Sequence, residues 1–410
     1  MRKLHLLLPL LAVCLLLVAP ARAGVADAPG ADLEVSLITY GPGAAYWERF
    51  GHDALQLRDT ASGESINFNY GVFDFSQKDF FLNFARGRMH YLMDAEYSLP
   101  EEASYVQAGR SIVRERLALT PQQAAALRDF LLWNLRPENA GYNYNYYTDN
   151  CTTRVRDALN RVLGGTIEAA LVKRPGGMTY RQQTDRLMHA QPWLMLLVDL
   201  GLSRYADQPL NAWQESFLPM MLEANLRAIR VDDGHGGTRP LVTSDRLLSP
   251  SRIAAPPVQA PDLCLPLGAA GLLLAALLLA AGRGWRTGFA LLATIYLVGA
   301  GVVGLLLLAL WTLTTHYAAW ANANLLLFNP LAFALLPALW RSRRNVLPDR
   351  FANAILLLQL LALLAAMLLH LLPGTVQQNQ PWILFATPVW LAVAWTLRQG
   401  ASVRARGRTS

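Results

Sequence analysis

Of the 410 residues, 53% are hydrophobic and 16% charged, and the formal net charge is +7. The positive excess sits at one end: residues 263–410 hold ten Arg and one Asp, whereas residues 24–262 hold 23 Lys and Arg against 28 Asp and Glu. Such basicity reports membrane topology, and it argues against a phosphate-binding surface and a nucleic-acid partner.

Residues 1–23 carry Arg2 and Lys3, an apolar run, and Ala-Arg-Ala ahead of Gly24, the pattern of an export signal. Cys14 lies in that run after Val13, a poor fit to a lipoprotein processing site, so it is expected to leave with the signal; a retained first helix is the alternative. Residues 24–250 are long enough for one sizeable α+β domain. LEVSLITYGPG reads as a strand ending in a Gly-Pro turn, and HDALQLRD and ESINFNYGVF alternate as strands do, with Ser62-Gly63 as the turn between them. Helical patterns follow in SQKDFFLNFARG, PEEASYVQAGRSI and TPQQAAALRDFLLWNL, the last opening with Thr120 as cap and Pro121 at the first helical position. LRAIRVDDGHGGTRPLVTSDR has the pattern of a late hairpin, and Pro-rich residues 251–262 form a short, stiff linker.

Residues 263–398 then carry apolar runs near 263–282, 289–313, 324–340, 352–372 and 381–397, each about the ~20 residues a bilayer requires. Arg283 and Arg286 follow the first, Arg341, Arg343, Arg344 and Arg350 the third, and Arg398 with the basic tail 399–410 the fifth. The loops THYAAWANAN and PGTVQQNQ carry no Lys or Arg. By the positive-inside rule the basic loops and C-terminus are cytoplasmic, and the soluble region and both neutral loops face the other side. Five spans, an odd number, agree with that. Asn329-Pro330 breaks the backbone near the start of the third span, where non-helical geometry needs protein or water around it.

With Cys14 removed, Cys151 and Cys264 remain, and Cys264 begins the first span, so no disulfide forms within the domain. A lone thiol in an oxidising compartment invites a catalytic reading. Asp149 or Asn150 caps a helix whose first turn holds Cys151, with Val155, Ala158 and Val162 on the same face. A helix N-terminus and an imidazolium are two devices that favour thiolate. Of the histidines, His235 sits in an Asp-Gly-His-Gly-Gly turn, His189 at a helix end and His90 in RGRMHYLM, all places that suit a structural residue. His52 opens a strand directly after Gly51, where another backbone can approach closely, as a facing helix end would.

WERFGHDALQL followed much later by YTDNCTTRVRDAL resembles the permuted NlpC-like, papain-related thiol enzymes, in which the histidine strand precedes the cysteine helix. Together with ITYGPG, FNYGVFDF, FFLNFARGRMHY and THYAAWANANLLLFNPLA, these stretches resemble the Lnb-type bacterial lipoprotein N-acyltransferases. The resemblance implies a papain-like periplasmic domain in front of an all-α membrane bundle, an acyl thioester on Cys151, and His52 as base. A phospholipid acyl donor and a lipoprotein acceptor follow from the same resemblance.

The chemistry asks for a third group to orient the imidazole. Asn67 and Asn69 project from one strand face, Asn69 being the better placed, while strand alternation sends Asp53 to the face opposite His52. Among the tyrosines ahead of Cys151, Tyr146 and Tyr147 are candidates for the wall of an acyl-chain or headgroup site, with ordinary packing as the alternative. His316, Asn322 and Asn324 are candidates for substrate binding, because their loop should face the compartment of Cys151. No His, Cys and carboxylate set has metal-ligand spacing, and no cofactor is expected. Three readings compete: a membrane-embedded thiol acyltransferase, a membrane-anchored cysteine hydrolase, and a non-enzymatic scaffold in which Cys151 is a small apolar residue.

Overall fold

The computed structural model describes residues 24–73, 76–372, 374 and 376–399; the export signal, Cys14 and residues 400–410 of the basic tail lie outside the described residues. The chain divides into two compact units: Met1–Phe75, His90–Pro175 and Asn211–Ala254 form one, and Ser76–Met89, Gly176–Leu210 and Ala255–Ser410 the other.

The first unit is built on an antiparallel seven-stranded sheet of order β6-β4-β3-β2-β1-β5-β9. Its strands are β1 (Leu33–Tyr40), β2 (His52–Asp59), β3 (Ser65–Val72), β4 (His90–Tyr97), β5 (Ile112–Leu117), β6 (Gly141–Asn143) and β9 (Val242–Ser249). The first three stand where the sequence pattern predicts them. β7 (Arg230–Asp232) and β8 (Thr238–Pro240) form the late hairpin, but the VTSDR that ends the quoted stretch belongs to β9 and pairs with β5. The helix over PEEASYVQAGRSI also needs correction: α1 (Ser98–Gln107) stops early, and Gly109 at φ +74° turns the chain toward β5.

One sheet face carries Leu37, Leu55, Leu57, Phe68, Tyr70 and Met93, and packs on α2 (Pro121–Asn134) and α3 (Cys151–Val162) in one core with Leu127, Leu131, Val155 and Leu159. The opposite face carries Ile38, Tyr40, Ala54 and Ile112 under Tyr105 of α1. It is also polar. Asn67 Oδ1 accepts from Gln56 Nε2 at 3.0 Å and from Ser98 Oγ at 2.8 Å, and Asn67 Nδ2 donates to the Tyr40 hydroxyl at 3.1 Å. α1 therefore docks through satisfied hydrogen bonds as well as through apolar burial.

Among the described residues, the second unit contains five helical segments long and apolar enough to cross a membrane: Cys264–Gly284, Arg286–Leu313, Tyr317–Ser342, Arg350–Leu369 and Gln380–Arg398. Small residues set their packing. A Cβ at Gly271 would stand 2.4 Å from the Phe385 carbonyl oxygen, and one at Gly304 would stand 2.5 Å from the Asn329 Cα. The third segment is broken into short 3-10 turns before Leu336–Ser342 turns α-helical. Its freed carbonyls find side chains: Gln359 Nε2 donates to Leu326 O at 3.0 Å and Trp390 Nε1 to Leu327 O at 2.9 Å. Protein thus supplies the partners that hydrocarbon cannot.

Candidate functional site

Asn150 caps α3. Its Oδ1 accepts from Thr153 N at 2.9 Å, its backbone N donates to Thr153 Oγ1 at 2.8 Å, and its Nδ2 donates to Phe217 O at 2.9 Å. This closed box holds the first helical residue, Cys151, half-buried against the larger core, with Sγ 3.8 Å from Thr152 Oγ1.

His52 opens β2 after Gly51 at φ +81°, where a Cβ would meet the Tyr40 carbonyl at 2.8 Å and the start of helix α4 (Pro219–Leu226) at Pro219 and Met220. The close approach expected there is real, but the neighbours are β1 and α4. His52 Nε2 lies 2.9 Å from Asn69 Oδ1, and Asn69 Nδ2 donates to Glu101 Oε2 at 3.0 Å. The His52 ring lies nearly parallel to Tyr40 and Tyr105, with centroids 6.1 and 6.4 Å away, and the Arg110 guanidinium covers Tyr105 at 4.5 Å. β3 carries a bulge between Tyr70 and Val72, and Gly71 takes φ +92° there. A Cβ added to it would stand 3.5 Å from the Cys151 Cβ. The bulge thus re-aims the strand end beside the thiol.

These pieces border one cavity of about 580 Å³, in whose wall Cys151, His52, Asn69, Glu101 and Arg110 all appear. Burial pushes the Cys151 thiol up, against hydrogen bonds from Thr152 and the Asp53 backbone. Burial also pushes the His52 imidazole down, against the Asn69 hydrogen bond and the Glu101 charge. Both shifts favour the neutral thiol and imidazole, so the helix end does not by itself hold a thiolate. Such a pair can act as nucleophile and general base, with the proton moving during reaction.

Other sequence candidates lie elsewhere. Tyr147 is buried edge-on against Phe217, and neither it nor Tyr146 lines this cavity; Tyr144, 4.4 Å from Tyr91 between centroids, does. Asn322 and Asn324, proposed from the sequence as substrate-binding residues, are buried and hydrogen-bonded within the protein. Asn322 Nδ2 donates to Leu200 O and Gly201 O at 3.0 and 2.9 Å, and Asn324 Nδ2 to Leu200 O at 2.9 Å. They close the end of helix Pro192–Gly201. His316 Nε2 lies 3.0 Å from Phe84 O within the second unit. His235 is exposed in its turn and His189 Nδ1 lies 3.0 Å from Arg186 O. Asp53 turns to the α3 side of the sheet, as alternation requires, and accepts from Thr39 Oγ1 at 2.8 Å.

Sequence reasoning missed Glu101 and Arg110. The signal available for the first was the helical spacing of Glu101, Ser104, Tyr105 and Ala108, all of which line the cavity.

Fold and sequence together define a multi-pass membrane protein with a sheet-containing N-terminal domain. The model of the Lnb N-terminal periplasmic domain matches residues 22–186, and that of the Lnb transmembrane domain matches residues 259–399. The chain belongs to the Lnb family. No curated protein and no solved structure matches it.

Proposed function

We propose that the protein is a thiol acyltransferase whose first unit has the permuted papain-like, NlpC-like arrangement. The observation that carries this reading is the convergence on one cavity of Cys151, at the start of α3, with the bonded His52 and Asn69 pair. Cys151 Sγ gives its proton to His52 and attacks an ester carbonyl of a phospholipid. The tetrahedral intermediate expels the lysophospholipid alcohol, which takes that proton, and leaves an acyl thioester. The α-amine of a lipoprotein's N-terminal cysteine then attacks the thioester, gives a proton to His52, and the thiol is restored. Asn69 holds the imidazole, and the Cys151 backbone N–H is the first donor to the oxyanion. The cycle as written consumes no cofactor. In this reading residues 1–23 are an export signal, residues 24–250 work in the periplasm, residues 263–398 span the bacterial inner membrane, and the C-terminus is cytoplasmic.

Mass spectrometry of lipoprotein N-termini tests it, in a host with no second N-acylating enzyme. The native protein adds an acyl group to the N-terminal amine and a Cys151→Ser protein does not. Unchanged N-termini with the native protein overturn the substrate assignment; fatty acid released to water instead marks an anchored hydrolase.

The pH profile is a second test. His52 works as a base only when neutral, and its pKa is lowered from 6.5, so the neutral form persists into mildly acidic solution. The acid limb of kcat/KM therefore has its midpoint below pH 6.5. A midpoint above that value contradicts the burial of the imidazole.

A further inference from the structure

The hydrogen bonds behind His52 continue past Asn69. Glu101, 5% exposed, accepts from Asn69 Nδ2 at 3.0 Å, and Tyr40, whose hydroxyl also bonds Glu101, stacks on Tyr105 with centroids 3.6 Å apart. A carboxylate only accepts, so the Asn69 amide must turn its NH2 group toward Glu101. Its oxygen then faces His52 Nε2 at 2.9 Å. A carbonyl oxygen also only accepts, so Nε2 must carry the imidazole hydrogen, and Nδ1 keeps its lone pair.

We propose that Glu101 is a positioning residue that holds His52, through Asn69, in the tautomer with hydrogen on Nε2. Nδ1 is then the base that receives the Cys151 thiol proton, forming a thiolate and an imidazolium with no other bond changed. The identity of that proton donor rests on the thiol-enzyme reading above. Without the carboxylate, the Asn69 amide is free to turn its NH2 group to Nε2, and the hydrogen moves to Nδ1, where it blocks the base. The ionisable groups around this relay are Tyr40 from β1, Glu48 ahead of β2, which pairs with Arg110 at 4.0 Å, Asp53 from β2, Glu102 and Tyr105 from α1, Arg110 ahead of β5, and Cys151 from α3. Glu102 is committed elsewhere, accepting from Gln56 Nε2 at 3.1 Å and Arg114 Nη2 at 2.7 Å.

The test uses the full chain in nanodiscs, with 15N-labelled histidine and with iodoacetamide alkylation of Cys151 followed across pH. In the native protein the His52 signals, assigned by their loss in His52→Gln, report hydrogen on Nε2. Glu101→Leu moves the hydrogen to Nδ1 and slows alkylation at neutral pH by about a hundredfold, less than the ~10⁴-fold cost of a misplaced tautomer at a serine nucleophile, because a thiol keeps some thiolate of its own. Glu101→Gln keeps an acceptor oxygen and gives mixed tautomers with an intermediate rate, so the proposal remains testable should the Leu protein fail to fold. Native tautomer and native alkylation in either folded variant overturn it, as does a loss of thermal stability with the tautomer unchanged. A native protein that alkylates as described but never acylates lipoproteins removes the acyltransferase reading and leaves the role of Glu101 standing.

Discussion

A Cys151→Ser protein folds and inserts like the native chain but transfers acyl groups at least about a thousandfold more slowly. Folding is spared because the cap of α3 is made by Asn150 and Thr153, whose reciprocal bonds at 2.8 and 2.9 Å do not involve residue 151. Serine at the first helical position removes no hydrogen bond of that box. Chemistry is lost because a serine hydroxyl is a far weaker nucleophile than a thiol and His52 is tuned downward by burial, which weakens it as a base for the harder deprotonation. Single-turnover acyl transfer and thermal unfolding, measured on the same preparation, separate the two effects. An active Cys151→Ala protein would remove the thioester mechanism altogether.

Arg181→Ala costs about 3 to 5 kcal/mol of stability in the second unit, the range for breaking a buried ion pair from one side. Arg181 is 3% exposed and sits between two carboxylates, with Nη1 2.7 Å from Asp199 Oδ1 and Nε 2.6 Å from Asp207 Oδ1. The same carboxylates accept from Trp382 Nε1 at 2.6 Å and from Gln378 N at 3.0 Å, so the cluster ties residues 176–210 to the fifth span and the loop before it. Removing the guanidinium leaves two buried negative charges facing each other. Asp185 beside them is pushed up to about 8, by burial first and by Asp199 second. A carboxyl raised in the folded state contributes its stability at low pH and loses it as pH rises toward 8. Asp185→Asn should therefore stabilise the protein in alkaline solution and do little near pH 4. Thermal melts of the three proteins across pH decide it, and an unchanged melting point in Arg181→Ala would remove the cluster from the account of stability.

The sequence determined by itself what depends on local pattern. β1 ends visibly in a Gly-Pro turn, β2 and β3 alternate, Thr120-Pro121 announces α2, and five apolar runs of bilayer length mark the membrane region, because a run of that length has few other uses. Strands β4 and β5 were not legible, since HYLMDAEY and IVRERL mix charged and apolar residues without clean alternation and become strands through pairing with β3 and β1. The capped helix that carries Cys151 and the strand that carries His52, whose residues line one cavity, were both readable. Strand parity put Asn69 on the face of His52, where the two side chains meet.

Only the tertiary structure decided the rest. Glu101 comes from a helix more than thirty residues downstream of Asn69, and nothing local says that its carboxylate meets that amide. Nor does local pattern say that burial outweighs the helix end at Cys151, because desolvation depends on everything packed around the thiol. Asn322 and Asn324 looked like polar residues waiting at a membrane boundary; the fold brings the end of helix Pro192–Gly201 to them, from about 120 residues away, and its free carbonyls use up their amides. A sequence displays which polar groups exist. Which of them are satisfied by the protein, and which remain for a substrate, is settled by long-range packing.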